Sequence, residues 1–505
     1  MTNSKSQIKS GAVLSYLSIL LNIFLGLVYT PWMVKQIGQS DYGLYTLVNS
    51  LIALFMVDFG LSSATSRYVA KYRANHDEEG LKTFLSTIYR LYLLIDAIIF
   101  VVLLFVYLNI NGIYQNLSAE EIAKLKVAFA IVGIYSLINF PCVTFNGILT
   151  AYEQFVPLRV ADLVYRIGSV VLSVIMLLLG ESLYALVLIN AFCGLAVLAL
   201  KFYHVRKSLG YYVSLRRKTE DRSFLKELFH FSVWTTLTSL AARLVFNITP
   251  SVLGVVCAEA TAVISVFGIV ATIEGYVYTF STAINGMFLS RITRITNDKE
   301  TSRKNLSNLT ISVGRFQFIL NSLIVVGFAV IGRDFILLWM GEKYIQAYYG
   351  ILLVILPGLF FNSLQIFNTT LIVKNLVKYQ ALVALATGVC SFVLSVIFSH
   401  LWGVIGASAA IFSAYSLRVI LTLLLIHKKL DVDLRAFVLN CYLKLSVPTV
   451  VSLLVGFYVI HFFPSGSWLY LILKAMVIVM VYAIALLLLG LKPQERASLL
   501  RRIHR

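Results

Sequence analysis

The chain runs in long apolar stretches separated by short polar ones. A helix that crosses roughly 30 Å of hydrocarbon needs about 20 apolar residues, because backbone groups in lipid must bond within their own segment. Fourteen stretches qualify: 10–34, 42–66, 83–109, 126–149, 159–180, 183–204, 229–252, 261–289, 308–332, 349–372, 380–401, 403–427, 441–463 and 468–490. The longest connection, 201–228, holds two turns marked by Gly and Arg and falls near the middle of the chain. No stretch is long enough for a separate soluble domain. Lys5 and Lys9 precede a long apolar run with no small-residue cleavage site, so a retained first span is expected rather than a signal peptide.

Composition agrees with this pattern. The 505 residues are 59% hydrophobic and 13% charged, with a mean hydropathy of +0.86, whereas soluble proteins are about 25% charged. This composition excludes an ordinary soluble protein. The expected fold is all-α and polytopic.

Charge then sets the orientation, since Lys and Arg in short loops favour the cytosolic side. With the N-terminus inside, that side holds Lys5, Lys9, Arg159, Lys374, Lys378 and the basic residues of 67–82, 201–226, 291–304, 428–444 and 492–505. The opposite side holds Lys35, Lys124, Lys126, Arg333 and Lys343. Both termini are therefore expected in the cytosol. The net charge of +19 is spread over all these segments. Such a distribution suits topology and contact with anionic headgroups of the phospholipid bilayer, not a nucleic-acid face, where charge would be clustered with stacking aromatics. The five cysteines, Cys142, Cys193, Cys257, Cys390 and Cys441, lie in or at the edge of spans with no C-x-x-C spacing, and read as small core hydrophobes.

The sequence also repeats at low resolution. Arg67 aligns with Arg291 and, one residue out of phase, Arg90 with Arg315; "YTP" at 29–31 pairs with "ITP" at 248–250, "FNGIL" from Phe145 with "FNTTL" from Phe367, and "LKFYHVRK" from Leu200 with "LLIHKK" from Leu424. These offsets span six helices, an even number, so the copies share one orientation. The expected organisation is a six-helix lobe at 1–205, a cytoplasmic linker at 206–227, a second parallel lobe at 228–430, and helices 13 and 14 with a basic tail at 431–505. Parallel repeats about an axis along the membrane normal are a transporter architecture, with the pathway between the lobes.

Charges inside spans come next, because each costs roughly 2.5 to 3.5 kcal/mol unless it meets a partner or a wet cavity. They are Asp58, Arg90, Asp96, Asp162, Arg166, Arg243, Glu274, Arg315, Arg418 and Lys474. Arg90 and Arg315 lie roughly 10 Å inside the cytosolic boundary of the third and ninth helices. Arg243 and Glu274 are expected to pair across neighbouring helices, Asp162 and Arg166 to neutralise each other at i,i+4, and Lys474 to snorkel outward. Asp58 lies roughly 12 Å from the cytosolic end of helix 2. Ser62, Thr65 and Ser66 follow on the same helical face, which makes that face polar down to the cytosol.

The run "IGQSDYGLYTLVNSLIALFMVDFGLSSATSRYVAKY", 37–72, resembles the helix 1–2 region of the Wzx-type flippases for O-antigen and capsule repeat units, in the MOP superfamily that also contains the MATE transporters. The residues that carry the resemblance are Gly38, the D-Y-G-x-Y turn from Asp41 to Tyr45, and D-x-G-L followed by the basic helix end from Asp58 to Arg67. The resemblance implies two parallel six-helix lobes plus a C-terminal pair, in a bacterial plasma membrane. The activity it implies is movement of an undecaprenyl-pyrophosphate-linked oligosaccharide from the inner to the outer leaflet, by alternating access coupled to H⁺ or Na⁺ and without a bound cofactor. A lipid-linked oligosaccharide is then the partner, with a polysaccharide polymerase and chain-length regulator as associates of a monomer.

The expected contacts to pyrophosphate are Arg67, Arg90, Arg243, Arg291 and Arg315, as charge-assisted donors. Asn22, Asn247 and Asn285 are expected to line the sugar path, and Asp58, Asp96 and Glu274 to carry the coupling ion. Two alternatives stay open, a MATE-type multidrug or cation antiporter and a lipid II flippase. The latter branch is rich in arginine in its early helices, whereas 10–34 has none. An enzyme is not expected. P-loop, H-E-x-x-H, G-x-S-x-G and paired C-x-x-C patterns are absent. The lone D-x-D, Asp431 and Asp433, sits in a short loop.

Overall fold

The computed structural model describes residues 2–209, 222–282, 288–297, 302–430 and 432–491. Among these the secondary structure is helical, and twelve helices are long and apolar enough to cross a membrane. Two of the twelve are each a pair joined at a glycine. α1 (Thr2–Phe55) bends at Gly38, φ 83° and ψ 167°, a conformation that a side chain would oppose. Counted by their arms, the spans approach the fourteen that the apolar runs predict.

The chain packs as two compact units, Met1–Gly268 and Ile269–Arg505. In the first, α1 is followed by α2 (Leu61–Ala74), α3 (Glu78–Ile113), α4 (Ala119–Cys142), α5 (Thr144–Ala151), α6 (Phe155–Leu178), α7 (Leu183–Leu209), α8 (Arg222–Phe246) and α9 (Thr249–Val256). α10 (Ala260–Thr282) runs across the division. The second unit continues with α11 (Leu289–Asn297), α12 (Ser302–Trp339), α13 (Gln346–Ser363), α14 (Gln365–Val373), α15 (Val377–Lys429), α16 (Leu434–Phe437), α17 (Lys444–Ile460) and α18 (Trp468–Ala485). α15 is the second bent helix, turning at Gly403 with φ 54°.

Local chemistry explains the ends. Asp77 opens α3 by accepting from the Gly80 amide at 2.8 Å. Ser118 and Glu121 open α4 with a reciprocal capping box, which satisfies two otherwise orphaned donors. α3 then shows which solvent its sides face. Leu94, Ile98, Phe105 and Leu108 are each more than half exposed, while Phe84, Leu85, Ile88, Tyr92, Leu103 and Ile110 are buried. A stripe of bare leucine and phenylalanine at helical spacing is stable only against lipid.

The second expected span is where the structure differs most from the sequence reading. It is not one helix over 42–66. The second arm of α1 stops at Phe55, residues 56–60 leave the helix, and Phe59 (φ 53°) and Gly60 (φ 70°) reverse the local hand before α2 begins. The D-Y-G-x-Y segment differs in the opposite sense: it is helical, because Gly38 alone makes the bend. Gly43 within it is needed for close approach, since a Cβ there would fall 2.1 Å from the Thr261 carbonyl oxygen.

The two halves of the chain share a sequence of irregularities. α4 is followed by the short α5, and α13 by the short α14. The bend at Gly403 in α15 matches Gly180, φ 88°, between α6 and α7. Within the second unit, α17 and α18 pack on α12. Lys474 of α18 is buried, 2.7 Å from Asp334 and 3.0 Å from the Ser465 hydroxyl, so it does not snorkel. Tyr482 and Ser322 share a hydroxyl hydrogen bond.

Candidate functional site

Polar groups inside the first unit collect at the break in the second span. Asp58 sits in it, not on a helix face. Its carboxylate accepts from the Tyr92 hydroxyl at 2.6 Å and from the Ser62 amide at 3.2 Å, so it also stabilises the first turn of α2. Arg243 of α8 donates to the Met56 carbonyl oxygen at 2.8 Å, two residues from Asp58. A broken helix leaves carbonyls without intrahelical donors, and the guanidinium serves one of them. Arg243 is thus tied to the break rather than ion-paired to a carboxylate.

Asp96, one helical turn beyond Tyr92 on α3, has a buried Oδ1 with no hydrogen-bond partner among the described residues. Arg90 on the same helix is half-buried. Arg67 is exposed, 5.8 Å from the Tyr68 ring centroid, Asn22 is exposed, and Asn247 is half-buried at the joint between α8 and α9.

A second polar group fills the region between α4, α5, α6 and α7. There a cavity of about 350 Å³ is lined by Tyr135, Asn139, Asn146, Asp162, Tyr165 and Lys201, among others. Asp162 does not pair with Arg166. It accepts from Arg159 and from Lys201, each at 3.4 Å, because Lys201 is carried by the neighbouring helix while Arg166 lies among tyrosines. Arg166 acts on the hydroxyls of Tyr29, Tyr45 and Tyr165.

The end of this unit that carries Gly38 is knitted by side chains. Asp41 and Lys124 pair at 3.1 Å. Glu121 accepts from Ser40 and Thr261 at 2.7 Å each, and Asn116 donates to the Val255 carbonyl at 2.6 Å.

In the second unit the group centres on α10, α13 and α15. Glu274 and Arg418 both act on the hydroxyls of Tyr278 and Tyr415, and the Arg418 guanidinium stands 4.4 Å over the Phe361 ring. A separate cavity of about 730 Å³ is lined by Arg291, Phe288, Asn305, Asn308 and Ser312 among others. Arg315 is placed elsewhere than expected. It is 3% exposed and donates to the backbone carbonyls of Asn440 at 2.7 Å and Gly490 at 3.0 Å, so it docks the C-terminal helices instead of offering its charge to an anion. Asn285 lies outside the described residues. Asp433 of the D-x-D pair caps α16 through the Ala436 amide at 2.9 Å; Asp431 is outside the described residues.

The sequence reading missed Tyr92 as the partner of Asp58, and the tyrosines around Arg166 and Arg418. The 28 tyrosines, many of them within apolar runs, were the available signal, since a buried phenol hydroxyl seeks a polar partner.

Comparison with known proteins bears on the whole arrangement. A family model described as polysaccharide biosynthesis protein matches residues 8–292. A Shigella flexneri protein described as an O-antigen transporter is 24% identical over 403 residues, 78% of this chain and 91% of that protein. The fold is that of a lipid II flippase, MurJ, solved in an inward closed conformation, with a TM-score of 0.73 at 15% identity over 94% of this chain and 97% of that one. An inward-facing MATE-family multidrug resistance transporter of the MOP superfamily superposes with a TM-score of 0.70 at 13% identity, covering 84% and 98%.

Proposed function

Because the chain belongs to the polysaccharide biosynthesis protein family, we propose that it is a flippase. Its cargo would be an undecaprenyl-pyrophosphate-linked oligosaccharide, the repeat unit of an O-antigen, capsule or exopolysaccharide, carried from the inner to the outer leaflet of a bacterial plasma membrane. The lobes would be 1–205 and 228–430, both termini would be cytosolic, and alternating access would draw on a gradient of H⁺ or Na⁺. The description of the Shigella flexneri relative supports this reading, and the MATE- and MurJ-like fold is compatible with it.

The observation that carries the mechanism is the break at residues 56–60. Discontinuous spans place backbone dipoles and charged side chains where cargo and coupling ions are handled. Here one break joins a carboxylate, Asp58, to a guanidinium, Arg243, through the intervening backbone. Asp58, Asp96 and Glu274 are the groups through which an ion could couple. Arg67, Arg90, Arg243 and Arg291 are the cations that could guide the pyrophosphate, with Asn22, Asn247 and Asn285 along the sugar path. The lipid tail would stay in the bilayer, so the protein moves only the polar head. A polymerase and a chain-length regulator would take the product, and the flippase would work as a monomer.

The test is genetic and chemical. Deletion of the gene should abolish surface polysaccharide and cause lipid-linked oligosaccharide to accumulate on the inner leaflet, with both effects reversed by the intact gene. Unchanged polysaccharide and no accumulation would reject the flippase reading. Loss of drug efflux instead would point to an antiporter, and arrest of cell-wall synthesis to lipid II.

A further inference from the structure

The group around Arg166 lacks a component that its chemistry calls for. The one carboxylate near it in sequence, Asp162, is held by Arg159 and Lys201 at 3.4 Å each. The Arg166 guanidinium makes no hydrogen bond or ion pair with a described residue, and its Nε is buried without an acceptor. What surrounds it can donate: the hydroxyls of Tyr29, Tyr45 and Tyr165 are within its field. Asn190 links two of them, donating to the Tyr45 hydroxyl at 3.3 Å and accepting from the Tyr165 hydroxyl at 3.4 Å. Ser173, buried beside Tyr29, adds another hydroxyl.

Arg166 is half-buried within a span, and a cation there is retained when a counter-charge or a wet cavity meets it. We propose that Arg166 and its tyrosines form an oxyanion site in the first unit, whose ligand is a phosphoryl group. The planar guanidinium offers paired N–H donors that match two phosphoryl oxygens, and the surrounding hydroxyls can turn their protons toward the remaining ones. Among the described residues no carboxylate pairs with the guanidinium. The site was hidden in the sequence because Asp162 and Arg166 stand at the spacing of a self-neutralising pair.

The phosphoryl group has two sources, the pyrophosphate of the carried lipid or the headgroup of an ordinary phospholipid. The first source rests on the flippase reading; the binding site does not. The experiment therefore measures binding on the purified full-length protein, using the fluorescence of Trp32, whose ring lies 6.2 Å from that of Tyr29. Inorganic pyrophosphate is titrated into the wild type, Arg166→Gln, Arg166→Lys and the control Arg159→Gln. A saturable signal is expected in the wild type and in Arg159→Gln, an affinity at least tenfold lower in Arg166→Gln, and an intermediate one in Arg166→Lys.

Equal affinity in the wild type and Arg166→Gln overturns the site, as does a site that takes glucuronate but not pyrophosphate. Should Arg166→Gln not fold, Tyr45→Phe and Asn190→Leu keep the arginine and are expected to weaken binding at least threefold; unchanged binding in both also overturns the proposal. Repeating the titration in nanodiscs with and without phosphatidylglycerol separates the sources. Competition by phosphatidylglycerol assigns the site to bilayer lipid, and indifference to it assigns the site to the carried headgroup. A strain carrying Arg166→Gln that loses surface polysaccharide while its protein still binds pyrophosphate normally rejects the site and leaves the flippase reading standing. Normal polysaccharide in the deletion strain rejects the flippase reading whatever the binding shows.

Discussion

Each unit keeps an arginine near aromatic rings that has no ion pair among the described residues, and the company of the two differs. Arg166 in the first unit has the hydroxyls of three tyrosines within electrostatic reach, and its neighbouring carboxylate is taken by other cations. Arg418 in the second stands on the Phe361 ring and shares Tyr278 and Tyr415 with Glu274. The first group carries a cation and no carboxylate among the described residues that bond it, so it suits an anion. The second offers both signs, and its carboxylate can take up a proton or a metal cation while the guanidinium holds the local charge. The two arginines do not occupy matching places, since Arg166 precedes the bend at Gly180 and Arg418 follows the one at Gly403.

The sharpest way to break this contrast is to give the group around Arg166 a carboxylate of its own. Asn190→Asp should lower pyrophosphate affinity by about a hundredfold, since two close opposite charges at the protein surface interact by a few kcal/mol; an unchanged titration would dissolve the distinction.

A second test uses the buried arginine that does have partners. Arg315→Met removes charge-assisted hydrogen bonds to Asn440 and Gly490, each worth about 1.5 to 3 kcal/mol, and should lower the melting temperature in detergent. Arg166→Met deletes a charge that no described residue pairs, and should leave the melting temperature equal or higher. Equal losses in both variants would mean that Arg166 is structural.

Third, Glu274→Gln should reduce the proposed gradient-driven transport about tenfold, the effect of losing about 1.4 kcal/mol of ion binding, while pyrophosphate affinity stays at the wild-type value. A fall in affinity would make the second unit an anion site as well. A smaller effect is expected at the break. Tyr92→Phe removes one of two donors to Asp58, worth about 1 kcal/mol or roughly fivefold in transport. Lys82, exposed on the first turns of α3 beside Glu78, should change transport less than about twofold when replaced by Ala, as surface substitutions do.

Much of this protein was legible in its order of residues. Run lengths located most of the spans, including the first arm of α1 and both arms of α15, but the run 42–66 joined the second arm of α1 to α2 across the break. The resemblance carried by Asp41 to Tyr45 and Asp58 to Arg67 pointed to the family. The local conformations of those same motifs were not legible: Asp41 to Tyr45 is helix and Asp58 is not. A left-handed turn at Phe59 depends on what holds it, and its holders, Tyr92 and Arg243, come from α3 and α8.

The partners of the buried charges divide the same way. Asp162 with Arg166 looked complete at a spacing of four, yet Lys201, 39 residues away, takes the carboxylate. Arg315 reaches carbonyls 125 and 175 residues distant, and Lys474 finds Asp334 across 140. Hydrocarbon thickness acts on each segment by itself, so the sequence alone determines which segments span and how they repeat. Which charge meets which donor depends on the rotation and register of packed helices, set by side-chain fit among neighbours far apart in the chain, and only the tertiary structure decided it.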